Sequence, residues 1–386
     1  MTVQNEPVIL RPQRLDVYRI AIPMRGFEHA AASRQEAQGI VIRVEFEGGL
    51  EGWGEALPRD YVTGETMDTV PVDLVGELWP QLARRAVELG PRGELTLPRR
   101  TADGRSVSSA AGALELAFWD AALRVNEDIV PDAGESPSIK SRVTGVLGSA
   151  DPAKTAKRLR LMRWFGLCDF KLKLGLGDAD AENLRLVHAR LGGAIRRGRC
   201  TLRVDINGGW DIADVPRRTA DLAQYGVCVV EQPTFCKADE LAALAARCPL
   251  PLMADESLID LADAKALLAS GDKVWWNIRI SKNGGPLASL ALAELAAANG
   301  VPFTLGCMVG ETGILSAAQR RLLQSCPPPR FVEGNYGRFL LADDLTLPSP
   351  RFGYGGRLRC LRGDGLGVQV DGHRLQKYAT LLTCAT

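Results

Sequence analysis

Four short segments hold the side chains of this sequence that could do chemistry: Lys171-Leu-Lys173, Asp205-Ile-Asn207, Glu231-Gln-Pro233 and Asp255-Glu-Ser257, with a further lysine at Lys282. Carboxylates from three separate segments are the oxygen donors that a hard divalent cation takes. Lysines beside such a cation are the equipment of carbon-acid chemistry, an amine to remove a proton and positive charge to stabilise the carbanion left behind. A lysine acts as a base only when its pKa falls from ~10.4 towards neutrality. Two lysines at i and i+2 of a strand share a face, so Lys171 is placed to press like charge on Lys173.

The spacing shows what must position these groups. From Lys173 the steps to Asp205, Glu231, Asp255, Lys282 and Glu311 are 32, 26, 24, 27 and 29 residues, each long enough for a strand, a crossover helix and their loops. Ala/Leu-rich stretches of helical period run over Ala179–Ile195, Ala213–Tyr225, Ala238–Cys248, Leu261–Ser270 and Pro286–Asn299. Each is followed by a short apolar run: Leu202–Val204, Val227–Val230, Leu250–Met253, Val274–Ile278 and Pro302–Leu305. Alternating units of this kind make a parallel sheet. Polar residues at the C-terminal end of strand after strand point to an α/β fold of the (β/α) barrel type, whose reactive groups converge on that face. An open doubly wound sheet would scatter the same residues along an edge.

The whole chain is 386 residues with 46% hydrophobic residues, enough for a barrel and a smaller second unit. Its 47 basic and 46 acidic residues leave a formal charge of +1, which gives no case for a nucleic acid or anionic membrane partner. No apolar run reaches the ~18 residues of a spanning helix, and Met1 to Arg14 lack the pattern of a secretory signal. Nine scattered cysteines read as reduced thiols, so the expected location is cytoplasmic.

Residues 1–130 form a separate α+β unit: strands over Leu15–Ile22, Gln38–Phe46 and Leu50–Ala56, then helices over Met67–Leu89 and Val107–Val125. The Pro-, Ser- and acid-rich stretch Glu127–Ser141 reads as a linker. The barrel occupies 140–345, beginning with a strand at Val143–Leu147. Residues 346–386, with the turn-rich Phe352-Gly-Tyr-Gly-Gly356, carry no further βα unit and are expected to return to the first unit.

Lys-x-Lys, Asp-x-Asn, Glu-Gln-Pro, Asp-Glu-Ser and Lys282-Asn-Gly-Gly285 in this order resemble the enolase superfamily, specifically its muconate lactonizing enzyme subgroup. Gly52-Trp-Gly-Glu55 and Val62-Thr-Gly-Glu65 match that family's N-terminal capping domain, and Val62-Thr-Gly-Glu65 resembles its dipeptide epimerase branch. Gly306-Cys-Met308 with Glu311 resembles its seventh strand, and Glu333-Gly-Asn335 stands where the dipeptide epimerases hold a substrate ammonium with Asp-x-Asp on the eighth strand, offering one carboxylate in place of two.

The resemblance implies a modified TIM barrel under an α+β cap completed by the C-terminal tail. It implies Mg²⁺, or Mn²⁺, on Asp205, Glu231 and Asp255, and no other cofactor. The reaction it implies is removal of a proton α to a carboxylate through an enediolate. Lys171, Lys173 and Lys282 are the catalytic residues on this reading, with Lys282 four strands round the barrel on the opposite side of the reacting carbon. Asn207, Glu256, Glu311 and Glu333 would support the metal ligands or meet the substrate, with Glu311 bonding the substrate carboxylate region or a lysine. The lead reading is racemisation or epimerisation of an N-acyl amino acid or dipeptide. The alternatives are a muconate-type cycloisomerase, an o-succinylbenzoate synthase-type lyase, and a barrel that binds metal and ligand without turnover. The partner is a small-molecule carboxylate, with homo-oligomerisation left open. His29, Arg25 and Arg34 in the cap are further substrate-contact candidates, whereas Cys307 reads as barrel packing and His188 as a surface residue.

Overall fold

The computed structural model describes residues 7–29, 32–129, 138–175 and 177–386. Eight parallel strands form its centre: Gly145–Leu147, Asp169–Lys173, Thr201–Asp205, Val227–Glu231, Leu252–Ala254, Val274–Ile278, Phe303–Leu305 and Phe331–Val332. They neighbour one another in strict sequence order. Val143 forms a parallel bridge with Val332, and Thr144 N donates to Val332 O at 2.8 Å, which joins the first strand to the last. The second and sixth strands therefore lie on opposite sides of the ring.

Among the described residues seven helices make the crossovers, from Pro152–Trp164 to Gly313–Ser325. Several starts are visible in the sequence. Asp151 caps the first crossover helix by accepting from Ala153 N at 2.8 Å, with Pro152 in the first turn, where its missing N–H costs nothing. Asp260 and Asp263 cap Leu261–Leu267 reciprocally. After the eighth strand the chain forms only the short helix Gly337–Leu340, and Phe352 and Tyr336 pack nearby with ring centroids 5.1 Å apart.

The cap is a four-stranded antiparallel sheet ordered Ala379–Ala385, Pro12–His29, Ala32–Phe46, Glu51–Ala56. The tail thus returns to the first unit as its edge strand. Against this sheet lies Ser108–Val125, a helix buried over almost its whole length, with the buried carboxylates Glu115 and Asp120 paired to Arg99 and Arg124. Gly52 and Gly54 explain how closely it packs. A Cβ at either position would stand 1.9 or 2.0 Å from the carbonyl oxygen of Ala117 or Ala113. On its far side a Cβ at Gly112 would meet Gly285 N at 2.8 Å, so the helix is clamped between sheet and barrel. Phe46 and Phe118 close the cap core edge to face at 5.0 Å.

Two elements differ from the sequence reading. The helix expected over Met67–Leu89 is broken into Thr69–Asp73, a wide turn over Leu74–Leu78 and a tight turn over Trp79–Gln81, then a two-residue strand Val87–Glu88. Pro71 and Pro80 donate no backbone hydrogen bond, and Pro80 stands at the break. The stretch read as a linker contains a strand, Ser138–Arg142, paired with Arg357–Arg359 from the tail. Residues 130–137 of that stretch lie outside the described residues. Among the described residues no helix is long and apolar enough to cross a membrane, and all nine cysteines are free.

Candidate active site

Strand alternation decides which side chains enter the barrel. Lys171 and Lys173, Arg203 and Asp205, and Asn277 and Arg279 are i, i+2 pairs at the ends of the second, third and sixth strands. Glu231 and Asp255 come from the fourth and fifth strand ends. Asp205, Glu231 and Asp255 are fully buried.

Lys171 is the hub of the lower layer. Its ammonium donates to Glu333 Oε2 at 2.8 Å and to Glu231 at 3.2 and 3.3 Å, and lies 3.5 Å from Asp205 Oδ2. Burial opposes its charge, but Glu231, Glu333 and Asp205 outweigh burial and hold its pKa well above the ordinary lysine value. Lys171 therefore stays charged, and its charge is largely spent on carboxylates. Glu333 is also bonded by Arg203 Nη2. Burial alone would raise its pKa, yet Lys171 and Arg203 pull it far below the usual carboxylate range. The carboxylate expected to hold a substrate ammonium is thus already neutralised by two cations of the barrel.

Lys173 sits one layer higher. Its Nζ donates to Asn207 Oδ1 at 3.2 Å and lies 3.4 Å from Asp205 Oδ2. Asn207, with a left-handed φ of 49°, turns the chain so that its N–H also donates to Asp205 Oδ1 at 3.1 Å. Asp205 Oδ2 accepts no hydrogen bond although two ammonium groups stand within 3.5 Å. Burial opposes ionisation of Asp205, but Lys173 and Lys171 prevail and lower its pKa. Burial raises Glu231 to about 7 against the pull of Lys171.

Gln232 ties the fourth strand end to the fifth. Its Oε1 accepts from Asp255 N at 2.9 Å and Ser257 N at 3.2 Å, while its Nε2 donates to Ser257 Oγ at 2.7 Å and Thr234 O at 2.8 Å. This bracket is why Glu-Gln-Pro and Asp-Glu-Ser occur together: the first motif fixes the backbone that presents Asp255. Glu256 leaves Oε2 buried without a hydrogen bond, and burial followed by Asp255 raises its carboxyl to about 8.

A cavity of about 450 Å³ opens above this cluster. Lys171, Lys173, Arg279, Cys307, Glu311 and Glu333 line it from the barrel, and Arg25 reaches it from the cap. Its remaining wall is largely apolar, with Met162, Phe165, Leu341 and Phe352. Cys307, expected as packing, is a wall residue. Glu311 accepts from Met308 N at 2.6 Å, and burial raises its carboxyl to about 8. The side chains of His29 and Arg34 lie outside the described residues. His188, on the helix Ala179–Arg196, bonds Tyr225 O at 2.9 Å, away from the cavity lining.

The sixth strand departs from expectation. Lys282 does not line the cavity. It is fully buried, and its Nζ donates to Asp255 O at 2.6 Å, Asn277 O at 2.8 Å and Asp255 Oδ1 at 3.1 Å. Burial lowers its pKa against the opposing charge of Asp255. Arg279, which the sequence reading passes over, lines the cavity instead and bonds Asp255 Oδ2, with Glu231 Oε1 at 3.5 Å. Its signal is legible: it follows Asn277 by two residues and so shares the inward face.

The cap motifs are structural. Glu55 accepts from Thr312 N and Thr312 Oγ1, both at 2.8 Å, and from Leu315 N at 3.1 Å, capping Gly313–Ser325 across the interface. Glu65 accepts from Ser109 N at 2.8 Å and Ala110 N at 3.0 Å at the start of Ser108–Val125. The stretch Val62-Thr-Gly-Glu65 therefore holds a helix and does not touch the cavity.

Among the described residues no three His, Cys, Asp or Glu side chains stand grouped around a point that could hold a metal ion. The donor chemistry nevertheless fits a hard divalent ion: Asp205, Glu231 and Asp255 offer carboxylate oxygens from adjacent strands, and Asp205 Oδ2 is buried without a hydrogen bond. Arg279 would have to give up Asp255 Oδ2 to admit it.

Comparison with known proteins agrees with this architecture. Residues 153–374 match the family described as enolase C-terminal domain-like, and residues 14–132 match the mandelate racemase / muconate lactonizing enzyme N-terminal domain. The chain is 30% identical to an L-Lys-D/L-Arg epimerase of Methylococcus capsulatus over 89% of this chain and 94% of that one. It is 28% identical to an N-succinyl-L-Arg/Lys racemase of Bacillus cereus, over 79% of this chain and 81% of that one. The solved muconate lactonizing enzyme of Pseudomonas putida superposes with a TM-score of 0.78 at 25% identity, covering 96% of this chain and all of that one. The chain belongs to the mandelate racemase / muconate lactonizing enzyme group of the enolase superfamily.

Proposed function

We propose that this protein is a divalent-metal-dependent enzyme that works on a small carboxylic acid by removing the proton α to its carboxylate, with Lys173 as the acid-base group. The observation that carries this reading is the place of Lys173: it lines the cavity and its ammonium lies 3.4 Å from Asp205 Oδ2, whereas the Lys171 ammonium is committed to Glu231 and Glu333. Asp205, Glu231 and Asp255 would hold Mg²⁺ or Mn²⁺. When bound, that ion supplies the positive charge that stabilises an enediolate. Lys173 takes the α-proton, Asn207 and Asp205 orient its amine, and the apolar walls exclude water from the exposed carbanion.

In this reading residues 1–130 and the tail 346–386 cap a catalytic barrel spanning 140–345, in a cytoplasmic enzyme. Arg25 offers the substrate a guanidinium from the cap side of the cavity. The names of the relatives speak of N-succinyl-L-Arg/Lys, a hydrophobic dipeptide and muconate, whose shared feature is a carbon α to a carboxylate or its vinylogue. N-acyl amino acids and dipeptides are the first substrate class to examine. Cycloisomerisation or elimination is a second reading, favoured by the withdrawal of Lys282 from the cavity.

The test is a turnover screen of N-acyl amino acids, dipeptides, muconates and the o-succinylbenzoate precursor, with and without EDTA. The expected result is turnover of at least one class that EDTA and Lys173→Ala both abolish. Turnover that persists in Lys173→Ala would overturn the assignment. Metal binding without turnover across the screen would favour a binding barrel.

A further inference from the structure

We infer that Arg279, not Lys282, faces Lys173 across the reaction cavity and confines proton transfer to the Lys173 face, so that the protein exchanges the α-proton of one enantiomer and does not interconvert two. The inference rests on the proton-transfer reading above and specifies its stereochemistry.

Three observations carry it. The first is topological. Lys173 ends the second strand and Arg279 follows the sixth, four places round a ring of eight, and both side chains line the cavity. The second is the state of Lys282. An ammonium has three N–H donors, and here Asp255 O, Asn277 O and Asp255 Oδ1 provide three acceptors. Turning it towards substrate would strip two buried carbonyls of this partner. The third is chemical. A guanidinium keeps its proton throughout the range in which proteins fold and has no lone pair to offer as a base.

Interconversion of enantiomers needs a group on each face that can both lose and gain a proton. Lys173 meets that requirement and Arg279 does not. On one face, then, the Lys173 amine takes the α-proton, the C–H electron pair enters the enediolate, and the same ammonium returns a proton to the same carbon face with configuration retained. Arg279 contributes fixed positive charge on the far side, where it attracts the negative charge of the enediolate.

The test follows deuterium entry in D₂O with Mg²⁺, offering each enantiomer of N-acetyl and N-succinyl amino acids and of dipeptides separately, with chiral chromatography of the products. The wild-type protein is expected to label one enantiomer with retention and to form no antipode. Arg279→Lys should open the second face, giving label in the other enantiomer and slow racemisation, with Mg²⁺ binding retained by calorimetry. Lys282→Met should lower the melting temperature and leave the choice of enantiomer unchanged. Label in both enantiomers with the wild type would overturn the inference while upholding proton transfer. Loss of one enantiomer's exchange specifically in Lys282→Met would overturn it as well. Label in neither enantiomer would remove the proton-transfer reading and the inference together.

Discussion

The Lys171 ammonium donates to Glu333 Oε2 at 2.8 Å, joining the second strand of the barrel to the residue that follows the eighth. With Arg203 on the other oxygen, Glu333 is the anion between two buried cations. Arg203 also lies over the Phe331 ring at 4.3 Å. This layer seats the reactive groups above it and leaves no carboxylate oxygen of Glu333 without a protein partner.

Replacing Glu333 by Ala leaves two buried cations short of a partner, a class of change that costs roughly 3–5 kcal/mol. Urea denaturation should show a loss of that order. A variant of unchanged stability whose only defect is a raised KM would mean that Glu333 serves the substrate.

Gln232→Leu removes four hydrogen bonds, of which those from Asp255 N and Ser257 N fix the backbone that presents Asp255. Because Asp255 supplies a metal oxygen in this account, Mg²⁺ affinity should fall by about tenfold or more, equivalent to ~1.4 kcal/mol. Unchanged affinity would show that the bracket does not position Asp255.

Much of this arrangement is legible in the chain. The one-unit spacing of Lys173, Asp205, Glu231 and Asp255 specifies the parallel ring because each step has room for one crossover helix and no more. What sequence reasoning misses lies where alternation stops. Lys282 reads as facing substrate because the lysine before Gly284-Gly285 matches the family motif, yet it sits four residues past the end of Val274–Ile278, where period-two reasoning no longer fixes direction. Arg279, two residues beyond Asn277, lies within its reach. Glu55 and Glu65 are legible as motif residues but not as helix caps, since their partners at Thr312 and Ser109 are distant in sequence. The broken segment after Met67 shows two prolines overriding a helical pattern.

Glu55 sets a pH dependence on the docking of cap and barrel. Burial raises its carboxyl to about 7 against the pull of Thr312 and Leu315, compared with ~4.3 in an unfolded chain. Between those values the folded state binds a proton that the unfolded state lacks, so this contribution to stability is present at low pH and is lost as pH rises through about 7. Melting temperatures of the wild type and Glu55→Gln, compared from pH 5 to 8, should diverge in slope, with the variant flatter. Parallel slopes would remove Glu55 as the cause.

Gly54→Ala tests the clamp on Ser108–Val125. The added Cβ would meet backbone, not a flexible side chain, so the helix must shift, and overpacking of this kind costs roughly 1–3 kcal/mol. A wild-type melting temperature in that variant would show that the sheet and helix separate freely.

The central claim, that Asp205, Glu231 and Asp255 hold a divalent ion beneath the Lys173 cavity, is tested most directly by calorimetric titration of Mg²⁺ into the wild type and Glu231→Gln. The substitution keeps the side chain's volume and removes its charge. One Mg²⁺ per chain is expected in the wild type, with affinity at least about tenfold weaker in the variant and a melting temperature that shows it folded. Equal affinity in the two proteins, or no binding to the wild type, would contradict the account.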